Sequence, residues 1–176
     1  MLDEMINRFK NYQDDYQSKS DAFARDIQKF HQEFISGIQK FIDLGFEKGL
    51  VGIQINNISD KEIKIKINDI DWLITLRDDI AYSSESSNIF TNRIYCYMMD
   101  DLTSKPFYII EFFKDGQSFQ YKIYLKIEAG LKPILVNNQS GEDIALHLIE
   151  QIYLIKVVWN NSPLKDQSKS ALGFLK

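Results

Sequence analysis

Proline is missing from the first 48 residues, and Gly37 is the only glycine before position 45. Nothing in that stretch obliges a helix to stop. A single cysteine, Cys96, excludes a disulfide within the chain and makes a reducing compartment, the cytoplasm, the expected location. Arginine is scarce: Arg8, Arg25, Arg77 and Arg93 stand among 21 basic residues, so few side chains can clamp a phosphate or carboxylate from two sides. The acidic start, Met1-Leu2-Asp3-Glu4-Met5, has no apolar core of the kind a signal peptide needs. No apolar run approaches the ~20 residues required to span a bilayer. A formal charge of −4 argues against broad, sequence-independent nucleic-acid binding, which requires a basic footprint.

What the chain does have is apolar periodicity. Leu2, Phe9, Tyr16, Phe23 and Phe30 recur at seven-residue steps, with Met5 and Tyr12 between them and Ile27, Phe34 and Phe41 continuing the stripe. Only an α-helix puts such positions on one face. Unbroken from about residue 3 to 48, it would measure roughly 65–70 Å at ~1.5 Å per residue. Ser18, followed three residues later by Asp21, is a weak capping box and allows a break there. A helix this long overhangs a domain of 176 residues, so something must cover the overhang or its stripe must fold onto its own sheet.

From Val51 the period becomes two. Val51, Ile53 and Ile55, then Ile63, Ile65 and Ile67, then Trp72, Ile74 and Leu76 alternate with polar residues and read as a three-stranded meander. The serine-rich stretch 83–87 reads as a loop. Residues 94–99 and 107–113 are apolar on both faces, which predicts central strands with a helix on one side and another cover on the other. Asp115-Gly116 is a strong hairpin turn into an alternating strand through Ile127, and a last strand spans 131–136. Ser140 and Asp143 form a capping box that opens a helix running to about Trp159. The expected fold is α+β: a long N-terminal helix, an antiparallel sheet of about six to seven strands in meander order, and a C-terminal helix on the sheet. Residues 1–48 form the helical segment, 51–160 the sheet and second helix, and 161–176 a loose tail.

Chemistry is thin. There is no phosphate-binding glycine loop, no cysteine pair for zinc and no nucleophile elbow, so no cofactor or metal is called for. Cys96 sits in an apolar strand without a basic neighbour in sequence and reads as a buried structural thiol. His31 and His147 read as separate surface histidines. The acidic pairs Asp14-Asp15, Asp69/Asp71, Asp78-Asp79 and Asp100-Asp101 fall at turns or on the helix surface, where aspartate is common for local reasons. Glu62-Ile63-Lys64 has the form of a nuclease strand, without a suitably placed preceding aspartate. Lys64, Lys66, Lys122 and Lys126 around Tyr124 could bind single-stranded nucleic acid, but lysines on outer strands more simply block edge-to-edge aggregation.

The leading expectation is a non-enzymatic protein that binds another protein, as a homodimer, in an accessory, inhibitor-like or immunity-like role. Phe9, Tyr12, Tyr16 and Phe23 are its expected anchors, since aromatic side chains dominate such interfaces. The alternative is an apolar-ligand carrier, with Tyr97, Met99, Tyr108, Phe112, Tyr153, Val157 and Trp159 lining a pocket between sheet and C-terminal helix. A third reading is an enzyme whose site is assembled only in the fold, with His147 and an acidic pair as its candidates.

Overall fold

The structure, a computed structural model, describes residues 1–67, 69–83, 89–99, 106–115, 118–127, 130–136 and 139–161. Side chains at 82, 83, 89, 115, 118–121, 123–127, 130–136 and 154–161 lie outside the description.

Helix α1 (Leu2–Glu47) is continuous over 46 residues. The break allowed at Ser18 does not occur. Side-chain pairs at four-residue spacing run straight through the region: Lys19 reaches Asp15 at 2.7 Å, and Gln17 donates to Asp21 at 2.8 Å. Beyond Glu47, Gly49 adopts φ +73° and turns the chain out of the helix, a conformation glycine takes without steric cost.

Among the described residues eight strands follow: β1 (Ile53–Ile58), β2 (Glu62–Ile67), β3 (Ile70–Leu76), β4 (Ala81–Ser83), β5 (Ile89–Met98), β6 (Tyr108–Asp115), β7 (Ser118–Ile127) and β8 (Gly130–Val136). All pairings are antiparallel and the order is β1-β2-β3-β5-β6-β7-β8, with β4 set against the start of β5. The meander is as expected. The count differs from six to seven because the polar segment after Leu76 contributes β4, a three-residue strand whose composition gives no strand signal. Helix α2 (Gly141–Asn161) closes the described chain. Its capping box is formed: the Asp143 amide donates to Ser140 Oγ at 3.2 Å, and the Ser140 hydroxyl and amide both donate to the Asp143 carboxylate, at 2.8 and 3.1 Å.

The register explains the core. Ile65 lies opposite Trp72, Ile74 opposite Cys96, Ile94 opposite Ile110 and Cys96 opposite Tyr108. These residues are all buried and face one way, toward α1. From Phe23 to Ile42, α1 sinks its stripe onto that face, with the Phe30 ring 4.2 Å from that of Phe112. Ile144, Ala145, Leu148, Ile149 and Ile152 of α2 belong to the same core.

The two helices cross at unusually close range. A Cβ on Gly37 would stand 2.8 Å from the Glu142 Cα, and one on Gly141 would stand 2.6 Å from the Phe30 carbonyl oxygen. Around this contact, α1 caps the start of α2. Glu33 accepts the Gly141 amide at 3.0 Å, while Ser36 and Lys40 donate to the Glu142 carboxylate at 3.2 and 2.6 Å.

The opposite face of β5 and β6 does not match the expectation of a second cover. Among the described residues no helix packs there, and Tyr95, Tyr97, Ile109 and Phe113 are half-buried. These side chains shield one another instead. Tyr95 and Tyr97 stack at 6.2 Å, the Arg77 guanidinium lies 5.1 Å above the Tyr95 ring, and Lys122 lies 4.8 Å above Phe113.

Candidate functional site

The four expected interface aromatics separate along α1. Phe9 and Tyr12 are 64% and 74% exposed, Tyr16 is 42% exposed, and Phe23 is fully buried. The Tyr16 ring, 5.6 Å from that of Phe90, marks where the helix meets its own sheet. Phe23 packs on the same Phe90 ring from one turn-pair further along, at 5.8 Å, and so belongs to the core of its own chain. Up-chain of Tyr16 the stripe has no cover: Leu2, Met5, Ile6, Phe9 and Tyr12 are large, apolar and exposed on one side of a free helix. The projecting part, residues 2 to 16, spans roughly 22 Å.

The expected ligand-pocket residues do not converge among the described positions. Tyr108 and Phe112 are buried on the inner face of the sheet, in contact with α1. Tyr97 follows Cys96, which pairs with Tyr108, so alternation turns Tyr97 to the outer face. Met99 is exposed beyond the end of β5, and Tyr153 is exposed on α2. The side chains of Val157 and Trp159 lie outside the described residues.

An open groove of about 740 Å³ does occur, between the C-terminal end of α1 and the first half of α2. Phe41, Leu50, Leu146, Ile149 and Tyr153 give it an apolar floor, and Gln139, Asp143, His147 and Glu150 line its rim. The half-buried His147 has its Nδ1 3.7 Å from the carboxylate of the exposed Glu150, on the same helix face.

His31 is not a surface residue. It is only 5% exposed and faces Asn92 and Asp78, and its Nε2 has no hydrogen-bond partner. Burial lowers its pKa, opposed by the nearby Asp78 charge and the Asn92 side chain. Asn92 is itself buried and donates to the Arg77 and Asp79 carbonyls at 2.6 and 2.8 Å, which fixes the segment leading into β4. This contact has no signal in the sequence, since its other two members, Asp78 and Asn92, lie 47 and 61 positions from His31 in the chain.

Cys96 is buried, and complete desolvation pushes its thiol far above the ordinary range. The Tyr108 phenol beside it is raised for the same reason and, secondarily, by Cys96. Neither is poised as a nucleophile or base. No group of three or more His, Cys, Asp or Glu side chains suited to a metal ion occurs among the described residues. Lys64 is engaged by Glu62 at 3.0 Å and Lys66 by Asp71 at 3.5 Å, which halves the lysine surface considered for nucleic acid. Lys126, Tyr124, Asp100 and Asp101 lie outside the described side chains. No described helix is long and apolar enough to cross a membrane.

Compared with protein-family models, with curated proteins and with solved structures, the chain matches none of them.

Proposed function

We propose that this protein works by binding protein, and that its free N-terminal helix associates with a second copy of the chain. One observation carries this reading: a single heptad row is buried at Phe23 and Phe30 yet exposed at Leu2 and Phe9. Contiguous exposed apolar surface on a folded chain marks an interaction site. Aromatic anchors flanked by polar residues are the composition such sites use. An accessory or inhibitor-like role is compatible with a domain that offers a binding rod.

Light scattering on the intact chain tests the reading. The expected mass is twice that of the 20.6 kDa chain. The paired change Phe9→Ser with Tyr12→Ser should shift it to the monomer while leaving thermal unfolding of the sheet domain unaltered. A wild-type chain that stays monomeric would end the proposal.

The groove favours a second reading, a carrier of a small apolar ligand. Its volume of about 740 Å³ lies within the range of small-molecule sites, ~300–1,000 Å³, and its floor is apolar. In this reading the ligand would lie between the two helices, and not between sheet and C-terminal helix as the sequence suggested. A neutral, polarity-sensitive naphthylamine dye should brighten on binding and lose that signal in Leu146→Glu. Dye fluorescence indifferent to that substitution would remove the carrier reading.

A further inference from the structure

The charges beside the exposed stripe specify how two copies would meet. We infer that the N-terminal halves of two α1 helices pair antiparallel, about a two-fold axis beside Lys10 and Asn11, with Phe9 of each copy opposite Tyr12 of the other. The inference rests on the assembly reading above and deepens it.

In a heptad frame with Leu2, Phe9 and Tyr16 in one core row and Met5, Tyr12 and Lys19 in the other, antiparallel helices stack a residue of one row against one of the other. Pairing Phe9 with Tyr12 also sets Met5 against Tyr16 and Leu2 against Lys19. Arg8 and Asp15 flank the first row on the same side. In this register, and by symmetry twice, Arg8 of one copy faces Asp15 of the other. Sliding one helix by a heptad in one direction sets Asp15 against Asp15. Sliding it by a heptad in the other sets Arg8 against Arg8. A parallel arrangement places Arg8 beside the uncharged Gln13. Only one of these alignments joins opposite charges, and like-charge juxtaposition is the means by which such helices reject wrong partners.

Three further observations agree. Arg8 and Asp15 are exposed on the projecting helix, and Asp15 holds only Lys19, at 2.7 Å on the surface, a pair that yields readily to a new partner. The paired stretch runs from Leu2 to Lys19 and stops short of Phe23, where the stripe is already covered by its own sheet. The antiparallel arrangement also sends the two folded domains to opposite ends of the helix pair, whereas a parallel one crowds both at one end. Rings are wide for a regular zipper, and Phe9 against Tyr12 lets two aromatic side chains pack offset across the axis.

The test uses two charge reversals on the full chain, followed by sedimentation. Arg8→Asp alone faces carboxylate with carboxylate and Asp15→Arg alone faces guanidinium with guanidinium, so each should weaken self-association by about tenfold. Mixed in equal amounts, the two variants should recover wild-type affinity as a heterodimer, because every flanking pair is again opposite in charge. Both positions are exposed, so folding is not at issue. Thiol pairing supplies an independent reading: a Phe9→Cys chain should cross-link with a Tyr12→Cys chain and neither with itself. A wild-type dimer whose reversals are not rescued by mixing, or a Phe9→Cys chain that cross-links with itself, would overturn this register and leave the assembly reading standing. A monomeric wild type would overturn both.

Discussion

Gly37 and Glu142 approach so closely that the glycine's missing side chain is the space the second helix occupies: a Cβ there would lie 2.8 Å from the Glu142 Cα. Two effects of opposite sign compete at this position. Replacing glycine by alanine inside a helix ordinarily stabilises by ~0.5–1 kcal/mol. Here the methyl group meets backbone, which cannot rotate away, and overpacking costs about 1–3 kcal/mol. Gly37→Ala is therefore expected to destabilise the protein in chemical denaturation. A gain in stability would show that α2 slides along α1 without loss.

Phe23 and Phe9 occupy the same row of one helix and differ only in cover. Phe23→Ala removes a fully buried ring and should cost about 3–5 kcal/mol. Phe9→Ala, measured at a concentration where the chain is monomeric, should fall within about 0.5 kcal/mol of wild type. Equal losses would mean that the projecting half is packed after all.

His31 should make stability depend on pH. Its folded-state pKa lies below the ordinary 6.5, chiefly because it is buried. As pH falls through about 6.5, the unfolded chain takes up a proton that the folded chain still refuses, and the protein loses stability until the folded pKa is passed. Above that window the residue contributes nothing to the slope. His31→Gln should flatten the melting temperature against pH immediately below the ordinary histidine pKa of 6.5. Glu142 and Asp143, whose pKa values are lowered by their hydrogen bonds, act only at more acid pH and leave this window clear. An unchanged slope in the Gln variant would assign the pH effect elsewhere.

Cys96 should resist a thiol reagent such as dithionitrobenzoate in the native protein and react fully in denaturant, since it is buried and its thiol is held protonated. Rapid native labelling would reveal opening of β5 at the centre of the sheet.

Much of this architecture is legible in the residues. Seven-residue spacing foretells α1, alternation and turn chemistry foretell the meander, and Ser140 with Asp143 foretells the start of α2. What stays hidden depends on distance and on parity. The heptad row runs unchanged through Phe9 and Phe23, and only the position of Phe90, fixed by strand pairing, decides which of them is covered. Tyr97 and Tyr108 both sit in strands apolar on two faces, so alternation cannot assign their sides. The register of Cys96 against Tyr108 does. His31 looks like a surface residue because Gln32 and Glu33 follow it, while Asn92 and Asp78, which face it, come from the middle of the meander, far along the chain.

The order of the elements has a cost during synthesis. Strand follows neighbouring strand, so the sheet can zip locally, whereas α1 is made first and needs partners made long afterwards. The contacts of Ser36 and Lys40 with Glu142 bridge 106 and 102 positions. At ~5–20 residues per second, the helix waits on the order of 5–20 s for α2 to leave the ribosome. Throughout that interval Phe23, Phe30 and Phe34 are as uncovered as Phe9, and a nascent chain displays its whole apolar row at once. Copies translated side by side on one message could therefore meet through residues that the finished protein hides, which makes the helix a point of risk before it becomes a point of attachment.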